Sequence, residues 1–167
     1  MIDLFRFPNP VNEKAARTVA VGVVLLTVAT LVLRTPWLLG LLTYGFLARV
    51  ATGPTLSPLG QLATRVIAPR LGAPKLVPGP PKRFAQGIGA VCSVVALVAY
   101  FLGAAPLSWI LVGMIAVFAT AESAAGFCVG CLIFGQLQAR GIIPASVCEA
   151  CDDVRSRGSV STVPAMP

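Results

Sequence analysis

Four long apolar blocks divide the chain, and nearly all of its cations stand beside those blocks rather than within them. The first block covers residues 18–33, between Arg17 and Arg34. It falls short of the roughly 20 residues that cross a hydrocarbon core. Snorkelling of its two flanking arginines covers the shortfall. The second covers 36–53, the third about 84–104 and the fourth about 107–134, with a helix continuing to Arg140 and Gly141 as its C-terminal cap. Composition supports the same reading. Hydrophobic residues make up 56% and charged residues 11%, against roughly 25% charged in a soluble domain. Such a chain is expected to be an all-α integral membrane protein of four transmembrane helices.

The flanks of the first block hold Asp3 and Glu13 beside the cations, and no small-x-small cleavage site precedes the second block. It therefore reads as a retained helix rather than a cleaved signal. Residues 1–17 form an N-terminal segment, 18–140 a membrane domain and 141–167 a tail whose end, from about 158, is expected to be disordered. Of the 13 Lys and Arg residues, a four-span path with an inner N-terminus leaves only Arg34 outside. That asymmetry predicts an inner (plasma) membrane location with both termini cytoplasmic. Arg49 is expected to snorkel to the inner surface.

The inner loop carries its own pattern. Ser57 is a good N-cap and Pro58 suits the first helical position, while Leu59, Leu62, Ala63, Val66 and Ile67 fall on one face. This predicts a short amphipathic helix over about 58–68, lying in the membrane interface or packed on other segments. The following stretch with Pro74, Pro78, Pro80 and Pro81 is expected to be extended.

The absence of histidine removes Ser-His-Asp and Cys-His catalysis, His-ligated haem and every Cys/His zinc site except an all-Cys one. The net charge of +7 comes without an aromatic-interleaved basic patch, so it fits anionic headgroups and not nucleic acid.

The chemistry that remains is carried by cysteine. Cys128 and Cys131 form one CxxC pair, Cys148 and Cys151 a second, sixteen residues further on. The spacing is that of a four-thiolate zinc site. Both pairs fall near the cytoplasmic face, where a purely structural disulfide is disfavoured. Two uses stay open. In one, the pairs are redox or sulfur-carrying dithiols; in the other, all four thiolates hold a structural zinc ion. A first pair near the C-terminus of a continuous fourth helix would sit where the dipole opposes a thiolate. Glu122 is the only acid inside a block and is either a proton carrier for thiol chemistry or a hydrogen-bonded link between helices. Cys92 reaches a comparable depth on the third helix, either as a packing residue or as a participant. Gly126 and Gly130 predict close packing around Cys128.

The stretch from Ser57 to Gly89, with its Pro-Lys-Arg-Phe-Ala-Gln segment, and the Glu122–Gly135 stretch, with Gly-Phe-Cys-x-Gly-Cys, resemble an actinobacterial membrane-protein family, the domain of unknown function numbered 4395. Arg83, Phe84, Gln86, Glu122, Cys128 and Cys131 match its pattern, whereas Cys148 and Cys151 lie beyond the similar part. The resemblance implies a multi-spanning protein without an assigned activity, and thioredoxin-like or rhodanese-like sulfurtransferase proteins as its soluble neighbours. The leading expectation is a membrane-anchored thiol-redox or sulfur-relay protein, with Cys128, Cys131 and Glu122 at its centre and such a protein as partner. The alternative is a non-enzymatic membrane subunit or adaptor that binds zinc through Cys128, Cys131, Cys148 and Cys151. A small sulfur-compound transporter is a weaker third idea, and its short spans would need a membrane complex or homo-oligomer.

Overall fold

The computed structural model describes residues 7–148. A two-residue strand β1 (Val11–Asn12) leads directly into α1 (Glu13–Leu33) and α2 (Pro36–Thr52). A short irregular helical run comes next, made of α3 (Pro58–Gln61), a π-helical turn (Leu62–Ile67) and α4 (Ala68–Arg70). Strand β2 (Leu76–Val77) pairs antiparallel with β1 and precedes α5 (Gly79–Phe101), α6 (Ala105–Ala125) and α7 (Val129–Ala139). A 3-10 turn covers Ala145–Cys148.

Helices α1, α5 and α6 are long and apolar enough to cross a membrane. Helix α2 is shorter, with 17 residues. The outward faces carry large apolar side chains, among them Leu25, Val32, Val91, Ile110 and Val117, all exposed. An exposed apolar belt of this extent suits acyl chains and not water. The interior is built from Leu39, Leu42, Phe46, Val112 and Ile115 interleaved with Ala90, Ala96 and Ala119. Buried threonine hydroxyls find backbone acceptors: Thr27 Oγ1 donates to the Val23 carbonyl at 2.9 Å, and Thr43 Oγ1 reaches Leu39 on its own helix and Ser93 on α5.

Local signals explain the helix ends. Asn12 caps α1, its Oδ1 accepting from the Lys14 N–H at 3.0 Å, and Glu13 places a negative charge in the positive first turn. Arg34 closes α1 in a left-handed conformation (φ 51°), and Pro36 opens α2 two residues later. Pro80 and Pro81 lie in the first turn of α5, where their missing N–H groups have no helical partner to lose. The third helix therefore starts at Gly79, before the expected boundary at 84, and the Pro-rich stretch is extended only as far as β2.

One end of the bundle is knitted together by polar contacts. Lys75 pairs with Glu13 at 2.7 Å, Lys14 Nζ donates to the Leu71 carbonyl, the Gly79 N–H donates to Asn9 Oδ1, and Arg83 Nε donates to the Val50 carbonyl. Among the described residues, the opposite end has the short connections around Arg34 and Gly103.

Two expectations about this end need correction. Arg49 does not snorkel outward. It is buried, with Nε 2.8 Å from Gln86 Oε1, Nη1 3.4 Å from Ser57 Oγ and its guanidinium 4.7 Å from the Phe46 ring centre. Internal acceptors replace the headgroups it was expected to reach. The 58–68 segment is helical but not a regular amphipathic helix. Its small residues Gly60, Ala63 and Ala68 are buried, Leu59 packs over Gly22 of α1, and Leu62 and Val66 remain exposed.

Candidate functional site

The fourth apolar block is not one helix. Helix α6 stops at Ala125 because Gly126 turns left-handed (φ 68°), a conformation with little penalty only for glycine. Its N–H still reaches the Glu122 carbonyl at 3.0 Å, and the Phe127 N–H returns to Ala121 at 3.2 Å. Two carbonyls at this end, those of Ser123 and Ala124, accept from the Arg17 guanidinium of α1, at 3.1 and 2.8 Å from Nη2. A cation thus sits on the negative end of α6.

Cys128 comes next in an extended conformation and is the N-cap of α7. Its Sγ accepts from the Cys131 N–H at 3.3 Å, as a serine or aspartate oxygen does at other helix starts. Cys131 stands three residues into α7, and the two sulfurs are joined as a disulfide with Cα atoms 5.2 Å apart. The break reverses the expected electrostatics. The pair lies at a helix N-terminus, where the dipole favours a thiolate, and not at a C-terminus, where it opposes one.

Helix α7 is held close to α5. A Cβ on Gly130 would stand 2.6 Å from the Ala85 Cα, so glycine is what permits this approach, and Phe134 meets Phe84 edge to face at 5.7 Å. The Gly126/Gly130 step thus does two different jobs: the first glycine ends a helix and the second packs one.

Two spaces open around Cys128. A cleft of about 500 Å³ is lined by Cys128 and Cys131 together with Lys82, Glu13, Lys75, Phe127 and Gln138. The second is a smaller cavity of about 130 Å³ whose wall includes Cys92, Glu122 and Cys128. The structure therefore brings Cys92 and Glu122 to the same space as the first cysteine, as their sequence depths suggested. Glu122 Oε1 is 2.6 Å from Lys82 Nζ, with both side chains no more than 15% exposed. This ion pair ties the C-terminal turn of α6 to the first turn of α5 beside the disulfide. Sequence reasoning missed Lys82 and Arg17 as parts of the site. Lys82 was legible only as a member of the Pro-Lys-Arg-Phe segment, and nothing in the sequence linked Arg17 to the end of α6.

Cys148 closes the 3-10 turn, and Cys151 lies outside the described residues. Among the described residues no three Cys, Asp or Glu side chains converge as metal ligands. The first pair, bonded to itself, offers two sulfurs, so a four-thiolate site depends on residues beyond those described.

Three helices of membrane-crossing length, apolar on their outer surface, mark a helical protein compatible with multiple passes through a lipid bilayer. More narrowly, residues 11–139 match the model of the family described as a domain of unknown function (DUF4395), and the chain belongs to that family. No curated protein and no solved structure is detectably similar to it.

Proposed function

We propose that this protein is a membrane-anchored thiol–disulfide exchange protein whose Cys128–Cys131 pair reacts with a soluble thioredoxin-like or sulfurtransferase-like partner. The carrying observation is the N-cap position of Cys128. Its sulfur lies in the field of the α7 N-terminus and already accepts the Cys131 N–H. In the larger cleft the two sulfurs share a wall with the cation Lys82. The helix N-terminus favours the thiolate form and improves the sulfur as a leaving group.

The two sulfurs have unequal roles. Cys128 is buried and Cys131 is half-buried. A partner thiolate attacks Cys131 Sγ, forming a mixed disulfide, while Cys128 leaves with the bonding electron pair as a thiolate. The partner's second thiolate then attacks the partner sulfur and releases Cys131. The partner ends as a disulfide and the CxxC as a dithiol, with two electrons transferred. In this reading the chain crosses the membrane four times, α2 included, with both ends and the CxxC on the cytoplasmic side. The 58–70 segment lies at that interface, with Leu62 and Val66 facing lipid. The support is the gathering of Lys14, Arg17, Lys75, Lys82 and Arg83 in contacts at one end of the bundle, with Arg34 at the other.

The test uses the full-length protein and a reduced thioredoxin that lacks its resolving cysteine. The expected product is a mixed disulfide that peptide mapping assigns to Cys131. Absence of that adduct, together with near-stoichiometric zinc and four protected thiols, would replace this reading with the zinc-binding adaptor.

A further inference from the structure

The smaller cavity shares Cys128, and no other lining residue, with the cleft that a soluble partner would use. Its wall is almost wholly apolar, formed by Phe46, Ile115, Phe118 and Ile133 among others, and Glu122 is the only charged residue on it. The volume of about 130 Å³ is close to that of an apolar cavity that takes a benzene ring, roughly 150 Å³. Two wall residues, Phe118 and Ile133, are 39% and 41% exposed. They belong to α6 and α7, whose exposed side chains include Ile110, Val117 and Leu132, so this wall borders the apolar outer surface. A cavity of this size and lining suits a lipid-soluble ligand with one flat ring of six atoms.

We infer that this cavity binds the ring of a membrane quinone, which takes two electrons from the reduced Cys128–Cys131 pair. The inference rests on the dithiol reading above and supplies its electron acceptor. Dithiols reduce quinones downhill, so electrons run from the soluble partner through the CxxC into the membrane pool. The step balances. The Cys128 thiolate adds to a ring carbon, and the ring electrons move onto a carbonyl oxygen, which takes up a proton. The Cys131 thiolate then attacks Cys128 Sγ. The S–S bond forms, the S–C bond breaks, and the ring leaves with the electron pair as a hydroquinone anion, which takes the second proton. The two protons are those the two thiols lose. Glu122, paired with Lys82, stands on the same cavity wall as Cys128. The cleft admits the electron donor and the cavity admits the acceptor, with one sulfur shared between them.

The test places the reduced full-length protein in lipid nanodiscs with decyl-ubiquinone, a fully ring-substituted quinone whose thiolate adduct has no ring hydrogen to lose and so does not persist as an arylated thiol. Quinol is followed by absorbance, and the Cys128–Cys131 disulfide by mass mapping. Expected are equal amounts of quinol and disulfide, a rate that saturates with quinone, and a loss of about tenfold or more in Ala119→Leu, whose extra carbons occupy the cavity. A Phe118→Trp variant gives an independent binding readout. Its fluorescence is expected to be quenched by the quinone well beyond the quenching of Trp37 and Trp109 in the unaltered protein. Unsaturable oxidation, equal rates in Ala119→Leu, or no added quenching in Phe118→Trp would each overturn the inference and leave the cavity to a lipid acyl chain. Reduction of the disulfide by thioredoxin is measured in the same nanodiscs. If thioredoxin reduces the pair and the quinone never reoxidises it, the quinone site fails alone; if neither reagent acts on the pair, both readings fall.

Discussion

Substituting alanine at two glycines of α7 is expected to move stability in opposite directions. At Gly130 the added methyl would stand 2.5 Å from the Ala85 Cβ and 2.6 Å from its Cα. Ordinary carbon contacts lie at about 3.5–4.0 Å, so α7 must retreat from α5 by roughly 1 Å. Overpacking of this kind costs about 1–3 kcal/mol, and the better helix propensity of alanine returns up to about 1 kcal/mol of it. The net expectation for Gly130→Ala is a loss of about 1–2 kcal/mol. At Gly135 nothing lies within 4 Å of the added carbon. Gly135→Ala then gains helix propensity alone, about 0.5–1 kcal/mol. The two substitutions change the same atoms in the same helix, so their difference of about 2–3 kcal/mol isolates the α5–α7 contact. Denaturant titration of the purified protein in micelles, with the far-ultraviolet signal as readout, measures it. Effects of equal sign and size at the two positions would refute the close approach of α7 to α5, and with it the placement of the disulfide against Lys82.

Glu122→Gln leaves the largely buried Lys82 ammonium without its counter-charge, and about 2–3 kcal/mol of stability should be lost; a double-mutant cycle with Lys82→Met should recover about 1–2 kcal/mol as coupling. A cycle with no coupling would remove the pair from any structural role. Gly126→Ala forces a side chain into a left-handed conformation, and a cost of about 1–2 kcal/mol is expected in the same titration. Ser108→Ala deletes a buried hydroxyl that has no hydrogen-bond partner among the described residues, so stability should hold or rise by up to about 1 kcal/mol; a clear loss would reveal a partner. Cys128→Ser keeps an N-cap acceptor, so helix content should remain while exchange with thioredoxin stops, which alkylation mass spectrometry checks.

The features legible in the sequence and those hidden in it divide along a physical line. Transfer free energy depends on composition over a window of about 20 residues, so the apolar blocks that became α1, α5 and α6 were visible without any fold. Family membership was visible too, because the Pro-Lys-Arg-Phe-Ala-Gln and Gly-Phe-Cys-x-Gly-Cys segments are distinctive in combination. The break after Ala125 was hidden. Gly126, Phe127 and Cys128 are as apolar as their surroundings, and hydropathy does not register a sign change in φ. The glycine step predicts close packing or a thin passage to the thiols, and its first member is in fact a helix stop. Arg49 was misjudged for a related reason. Its acceptors, Gln86 and Ser57, are supplied by tertiary contact, and a window of local sequence contains no trace of them. The thiol site shows the same pattern. Cys128, Cys131 and Glu122 stood out by residue type, whereas Lys82 and Arg17 enter it only once α1, α5 and α6 are packed.

The short interruption between α6 and α7 also sets a tolerance for length. Each residue of extended chain spans up to about 3.5 Å. One residue more or fewer between Gly126 and Val129 would shift Gly130 off Ala85 and Phe134 off Phe84. It would also exchange the sulfur facing the cavity for a side chain that now points elsewhere. A substitution at Phe127 therefore differs in kind from an insertion beside it. The first alters a single contact, while the second displaces the whole of α7 at once, and chains that keep the disulfide chemistry are expected to vary in side chain at this position but not in the spacing from Gly126 to Cys128.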